Sequence, residues 1–283
     1  MTQTREVIRE NIRRAVREVR ETNPMAPSIT NNVTINLVAN VQLALGGSAA
    51  MVYVADEGEG LARQGGAMYL NMGTQMPVYA EAMPRTARVL HELGKNWVLD
   101  PVGIGLGGQR ELILRELKAY KPSIVRGNAS EILMLAELWE LQTCPESTGA
   151  RGTDTRDSVR SAAEAAAALA RYTHGAVAIS GEEDLVTDGA LMAFSRGGSR
   201  WMTQVTGAGC SLGGAAAVYA CVADPFTAAL TATQAFNFAG RTAAARARGN
   251  GSFCVEFLDA LCQATPEEIA DNPFRLEAAG PAE

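Results

Sequence analysis

The chain has 283 residues, of which 47% are hydrophobic and 20% charged, with a formal net charge of −6. That apolar content is enough for a large buried core, which excludes a disordered chain and a small disulfide-stapled one. The acidic balance argues against a nucleic-acid partner, and five Cys without a C-x-x-C pair, with only two His, argue against zinc and fit reduced cytoplasmic thiols.

Near the start, Ile8, Ile12, Ala15 and Val19 fall on one helical face among Arg and Glu, which predicts an amphipathic helix within 1–22, packed on the body. Residues 22–55 carry no charge, yet Asn23, Asn31, Asn32, Asn36 and Asn40 would be costly in lipid, so no membrane partner is expected. Apolar runs at 49–54, 66–71, 96–99, 123–125 and 176–180 read as strands, and 33–45, 77–93, 109–119 and 157–171 read as helices. Strands without internal alternation, separated by helices, indicate a parallel sheet covered on both faces. Beyond Gly207 the pattern turns to Ala-rich helices over 212–222, 225–247 and 256–263, and 264–283 is expected to be a flexible tail. With no Pro/Ser-rich linker, one domain over 1–283 is expected, with 143–157 as the best hinge or insertion.

Ligands of such sheets bind outside the carboxyl ends of the strands, and Asp100, Arg126 and Ser180 each stand where a predicted strand stops. The run Val205-Thr-Gly-Ala-Gly-Cys210 feeds a small-residue helix whose free amides and dipole suit a phosphoryl group, although small residues also serve close helix packing. Cys210 falls in the first turn, where the dipole is expected to lower a thiol pKa, so it could orient or deprotonate a hydroxyl or be a small buried hydrophobe. Asp100 and Glu131 could hold Mg²⁺ through waters, while Glu131 also fits a capping box with Asn128. Arg126 offers a fork to phosphate oxygens. Gly103-Ile-Gly-Leu-Gly-Gly108 matches G-x-G-x-x-G, but the Asp-Pro-Val ahead of it does not suit a dinucleotide turn, and a dehydrogenase would leave 206–210 idle.

Six segments in order carry a family resemblance: Ile29-Thr-Asn-Asn-Val-Thr-Ile-Asn-Leu-Val-Ala-Asn40, Ala44-Leu-Gly-Gly-Ser-Ala-Ala-Met51, Val98-Leu-Asp-Pro-Val-Gly103, Arg126-Gly-Asn-Ala-Ser-Glu131, Ser180-Gly-Glu-Glu-Asp-Leu-Val-Thr-Asp-Gly189 and the run ending at Cys210. Together they resemble the hydroxyethylthiazole kinases of the ribokinase-like superfamily. The resemblance implies an α/β fold with a central, mostly parallel sheet, helices on both faces and no lid. It implies transfer of the ATP γ-phosphoryl, with Mg²⁺, to the primary alcohol of the thiazole in thiamine salvage, in a cytoplasmic homotrimer with pockets at subunit interfaces.

By the same resemblance, Met51, Gly207 and Asn31 match the substrate pocket. Arg126 and Ser180 match ATP contacts, and Asp100 and Glu131 match metal positions. The amides of Gly207, Ala208, Gly209 and Cys210 would be catalytic, with Cys210 where most of the superfamily has an Asp. Ser180 and Ala208 each replace a usual Thr, and Pro27-Ser28 a usual His-Cys pair. A kinase of another small alcohol, such as a hydroxymethylpyrimidine, and a silent nucleotide-binding or assembly protein are the competing readings.

Overall fold

Every strand among the described residues joins a single sheet whose eight members lie side by side in chain order. The computed structural model describes residues 4–141 and 159–280; the expected hinge at 143–157 lies outside them, as does the start of the helix expected over 157–171. Strands β1 (Ser28–Ile29), β2 (Ala67–Asn71), β3 (Asn96–Asp100), β4 (Ile124–Asn128) and β5 (Ala176–Ser180) are parallel. Strands β6 (Asp184–Thr187), β7 (Leu191–Ser195) and β8 (Phe274–Ala278) extend the sheet antiparallel. No strand is left over among them to form a lid.

Helices α1 (Arg5–Thr22) and α2 (Ile35–Ala44) come first. The crossovers then carry α3 (Ala55–Gln64), α4 (Tyr79–Glu92), α5 (Gly108–Leu117), α6 (Ala129–Leu138) and α7 (Ala163–Thr173). Helices α8 (Ala208–Ala220), α9 (Pro225–Arg246), α10 (Asn250–Gln263) and α11 (Pro266–Asp271) follow β7. Right-handed crossovers between successive neighbouring strands put their helices on one face, and α3–α7 do pack there against Met68, Leu70, Trp97, Leu99, Val125 and Val177. The intervening residues Tyr69, Val98, Ile124, Ala176 and Ala178 point to the other face, under α1, α2 and α8–α11. Two-residue alternation thus exists in the strands, but both faces are apolar and the sequence hides it.

Helix α1 buries the predicted Ile8, Ile12, Ala15 and Val19, and Thr4 caps it. Two expectations are corrected. The run 49–54 is no strand: β1 offers it only two residues, so it forms an isolated bridge at Met51 before α3 begins. The expected flexible tail is ordered over 266–278: Thr265 and Glu268 form a capping box, Pro266 opens α11, and β8 pairs along the whole of β7. Buried Ile269, Ala270 and Phe274 hold this segment to the core.

Candidate active site

The carboxyl ends of β2 to β5 converge on the start of α8. Asp100, the last residue of β3, is fully buried, and its Oδ2 accepts three hydrogen bonds. Donors are the Tyr69 hydroxyl at 2.9 Å, Asn71 Nδ2 at 3.1 Å and Arg126 Nη1 at 3.3 Å. Its Oδ1 is buried with no partner. Burial pushes the Asp100 carboxyl up from its ordinary value, and the Arg126 charge opposes that shift. Burial, then the Asp100 charge, pushes the Tyr69 phenol well above its ordinary value, so Tyr69 stays neutral and donates.

From this centre the contacts run both ways. Arg126 Nη2 donates to Ser180 Oγ at 3.0 Å, which ties β4 to β5. Asn71 Oδ1 accepts from Asn31 Nδ2 at 2.8 Å and from the Gly73 amide at 2.9 Å. Asn31 Nδ2 also reaches Cys210 Sγ at 3.7 Å, and Asn31 Oδ1 accepts from the Thr34 amide at 3.1 Å. Ser180, Arg126, Asp100, Asn71, Asn31 and Cys210 are therefore one connected chain.

The bend before α8 closes the site. Gly207 has φ +92°, a left-handed conformation costly for other residues, and a Cβ there would lie 2.9 Å from Thr34 Cβ. A Cβ on Gly209 would lie 3.1 Å from Arg126 Nη2, so backbone and guanidinium face each other directly. No side chain caps α8. Among the described residues the Gly209 and Cys210 amides have no acceptor, as an anion cradle requires. The Ala208 amide is a correction to the sequence expectation, because it already donates to the Val205 carbonyl at 3.2 Å.

Cys210 brings a second correction. Its thiol is pushed up, not down, first by burial and then by the Asp100 charge, against the opposing Arg126 charge. Glu131 forms the capping box: Oε2 accepts from the Asn128 amide at 2.8 Å, and Oε1 from the Gly103 amide at 3.4 Å. Met51 packs on the core opposite Ser28 and joins the chain of contacts by no polar bond. Among the described residues no group of three or more His, Cys, Asp or Glu could enclose a metal, so a divalent ion here needs phosphate and water oxygens as well.

Beside Arg126 opens a cleft of about 610 Å³, lined by Ser180, Asp184, Gly209, Leu212, Phe236 and Asn237 among others. That volume is typical of a small-ligand site. Asp184 Oδ1 accepts from the Gly181 amide at 3.0 Å and Oδ2 from Asn237 Nδ2 at 2.9 Å, while burial pushes its carboxyl up to about 6. A raised carboxyl pKa favours the neutral folded form, so its contribution to stability is complete below the unfolded value and is lost as pH rises through about 6. Asp184→Asn should remove that slope, on the order of 1 kcal/mol after screening at this partly exposed group, in melting curves taken from about pH 4 to 7.

Tyr69, Asn71, Asp184 and Asn237 were not marked by sequence reasoning. Asn71 gave a usable signal, since it ends a strand as Asp100 does. Tyr69 gave none, sitting inside an apolar run.

A buried aspartate and a free-amide helix start beside a nucleotide-sized cleft are what a phosphotransferase needs. The fold agrees: pyridoxal kinase from Staphylococcus aureus, solved in complex with ADP, is similar with a TM-score of 0.53 at 16% identity, over 77% of this chain and 88% of that one. Within that class the match is far closer to one group. The model of the hydroxyethylthiazole kinase family matches residues 16–267. Hydroxyethylthiazole kinase from Bifidobacterium longum (strain DJO10A) is 48% identical over 95% of this chain and 92% of its own length. The solved hydroxyethylthiazole kinase of Pyrococcus horikoshii OT3 has a TM-score of 0.82 at 28% identity, over 96% of this chain and 100% of that one. The chain belongs to the hydroxyethylthiazole kinase family.

Proposed function

We propose that this site transfers the γ-phosphoryl group of ATP to the primary alcohol of 4-methyl-5-(2-hydroxyethyl)thiazole, a step of thiamine salvage. One observation carries the reading: a single buried chain of contacts links the cleft beside Arg126 to the Asn31 segment, with the free amides of α8 between them. The nucleotide occupies the cleft, with its phosphates toward Arg126 and Ser180. The alcohol lies by Asn31, Met51 and Gly207, in a segment without charges suited to a neutral heterocycle.

The alcohol oxygen attacks the γ-phosphorus, the bond to the bridging oxygen breaks, ADP leaves, and the alcohol proton passes to a phosphoryl oxygen and on to solvent as the new O–P bond forms. Such a transition state is loose and needs little base assistance, so position and charge neutralisation dominate. The amides of Gly209 and Cys210, with Gly207 shaping the bend, meet the oxygens in transfer, and Arg126 balances their charge. Cys210, with its raised pKa, positions the hydroxyl instead of removing its proton. Cys210→Ala should therefore retain measurable turnover in a steady-state assay, and complete loss would make the thiol obligatory.

The unpartnered Asp100 Oδ1 fits a hydrated Mg²⁺ that accompanies the nucleotide, and Glu131, whose oxygens already accept amides, would reach it through water. Bound there, such an ion would supply positive charge to the nucleotide's phosphates. Val33, in the acceptor segment, and Leu43, just after it, are 62% and 55% exposed, and the homotrimer that the resemblance implies would cover them. No described helix is long and apolar enough to cross a membrane, and a cytoplasmic location is part of this proposal. ADP release with the thiazole alcohol, with hydroxymethylpyrimidine and without acceptor tests the reading. Only thiazole-dependent release supports it, and sedimentation tests the trimer.

A further inference from the structure

Helix α9 is buried along most of its length, yet Gln234, Asn237 and Arg241 recur on it at steps of three and four residues and so share one face. That face meets the end of β7 and the residues just ahead of β8. Gln234, Ser195 and Asn272 are 0%, 2% and 2% exposed, so their polar atoms must find partners inside the protein.

They do, and the bonds run in one direction. Arg241 only donates, and its Nη1 reaches Asn272 Oδ1 at 2.8 Å, which leaves Asn272 Nδ2 to donate to Gln234 Oε1 at 3.0 Å. The Ser195 hydroxyl donates to the same Gln234 oxygen at 2.5 Å, and its other neighbour, the Pro273 carbonyl at 3.4 Å, also only accepts. Ser195 Oγ is therefore the acceptor for Asn237 Nδ2 at 3.1 Å, and Asp184 Oδ2 accepts from that nitrogen at 2.9 Å. Both protons of Nδ2 are spent. A flipped amide would turn its oxygen on the Asp184 carboxylate.

The consequence falls on Asn237 Oδ1. Asn237 is 5% exposed, and among the described residues nothing donates to this oxygen. Asn237 lines the cleft beside Arg126, and a Cβ on Gly198, in the same wall, would lie 3.3 Å from Oδ1. The cleft thus has two kinds of end. Arg126, Ser180 and the free Gly209 amide donate, whereas Asp184 and Asn237 accept. Phosphates need the donors, and the Asp184 charge would repel them. Asp184 Oδ1 accepts from the Gly181 amide at 3.0 Å, and Gly181 follows Ser180, so the acceptors stand beside the phosphate end. A nucleotide has its sugar there, not its base.

We infer that Asn237, locked by this chain of hydrogen bonds and paired with Asp184, accepts from the ribose hydroxyls of the nucleotide and makes the protein select ribonucleotides over deoxyribonucleotides. This rests on the nucleotide cleft of the reading above. A carboxylate is a proven partner for a ribose hydroxyl, and two adjoining acceptors suit a vicinal diol.

The test is titration calorimetry of the full-length protein with ADP, 2′,3′-dideoxy-ADP and GDP. The parent should bind ADP about tenfold or more tightly than the dideoxy form, the discrimination expected when hydrogen bonds to buried acceptors are lost. Asn237→Ala should weaken ADP and leave the dideoxy form nearly unchanged, which brings the ratio within about threefold. In the same variant the KM for ATP should rise while kcat holds. A merely structural Asn237 would weaken both nucleotides alike and keep the ratio. Asp184→Asn, which preserves the volume, should narrow the ratio as well.

Equal binding of ADP and the dideoxy form by the parent would overturn the inference without any variant. So would an undiminished ratio in Asn237→Ala or, should that chain not fold, in Asp184→Asn. A change in the ADP-to-GDP ratio with the ribose ratio intact would also overturn it, by giving Oδ1 to an amino group of the base. If the parent shows the ribose preference but releases no ADP with the thiazole alcohol, the kinase reading fails and this inference stands. Absence of ADP binding would sink both.

Discussion

Asp100→Asn is expected to lower kcat by a factor on the order of 10²–10³, the loss typical when a preorganised charge-stabilising group is removed. The same change should destabilise the fold. It leaves Arg126 buried beside a neutral amide, and breaking one side of a buried ion pair costs about 3–5 kcal/mol. ADP release and a urea or thermal melt on the same preparation read both effects. A second replacement, Arg126→Met, removes the other partner and so separates them: if Asp100 acts only through Arg126, the double variant melts above either single one. An Asp100→Asn chain with parental turnover would remove Asp100 from the reaction altogether.

Gly213→Ala should be nearly as damaging, although Gly213 touches no ligand. A Cβ there would lie 2.6 Å from Tyr69 Cζ and 2.7 Å from its hydroxyl oxygen, so helix α8 or the ring must move. Overpacking of this kind costs about 1–3 kcal/mol. Moving Tyr69 also breaks the bond that its hydroxyl donates to Asp100. Tyr69→Leu in the same chain is expected to restore the melting temperature, because the smaller side chain vacates the space, but not the full rate. Recovery of both would show that the hydroxyl is dispensable and that Tyr69 only fills volume.

How much of this was legible in the sequence follows from what each residue does locally. The strand ends at Asp100 and Ser180 were readable because a polar residue after an apolar run marks the carboxyl edge of a parallel sheet, whereas β4 runs on past Arg126 to Asn128. The bend at Gly207–Cys210 was readable because closely spaced glycines before a small-residue helix have a local cause. Strands β6 and β7 were not marked, since Asp184–Thr187 and Leu191–Ser195 form a hairpin whose pairing depends on the strand beside it. The tail over 266–278 was misjudged although Thr265, Pro266 and Glu268 spell a helix start; its order comes from β7, a partner distant in sequence. The Cys210 pKa went the wrong way for the same reason. The dipole is a local property, but burial and the Asp100 charge belong to the assembled site.

The strictly sequential strand order bears on how the polypeptide is made. Each of β2 to β5 can dock on the strand synthesised just before it, and its crossover helix covers one side as it emerges. The opposite side has no such supply: Tyr69, Val98, Ile124 and Ala178 wait for α8 and α9, which leave the ribosome only after more than half of the chain. A nascent chain halted before Ala208 should therefore bind trigger-type chaperones through that bare surface, and release from them should coincide with synthesis of α9.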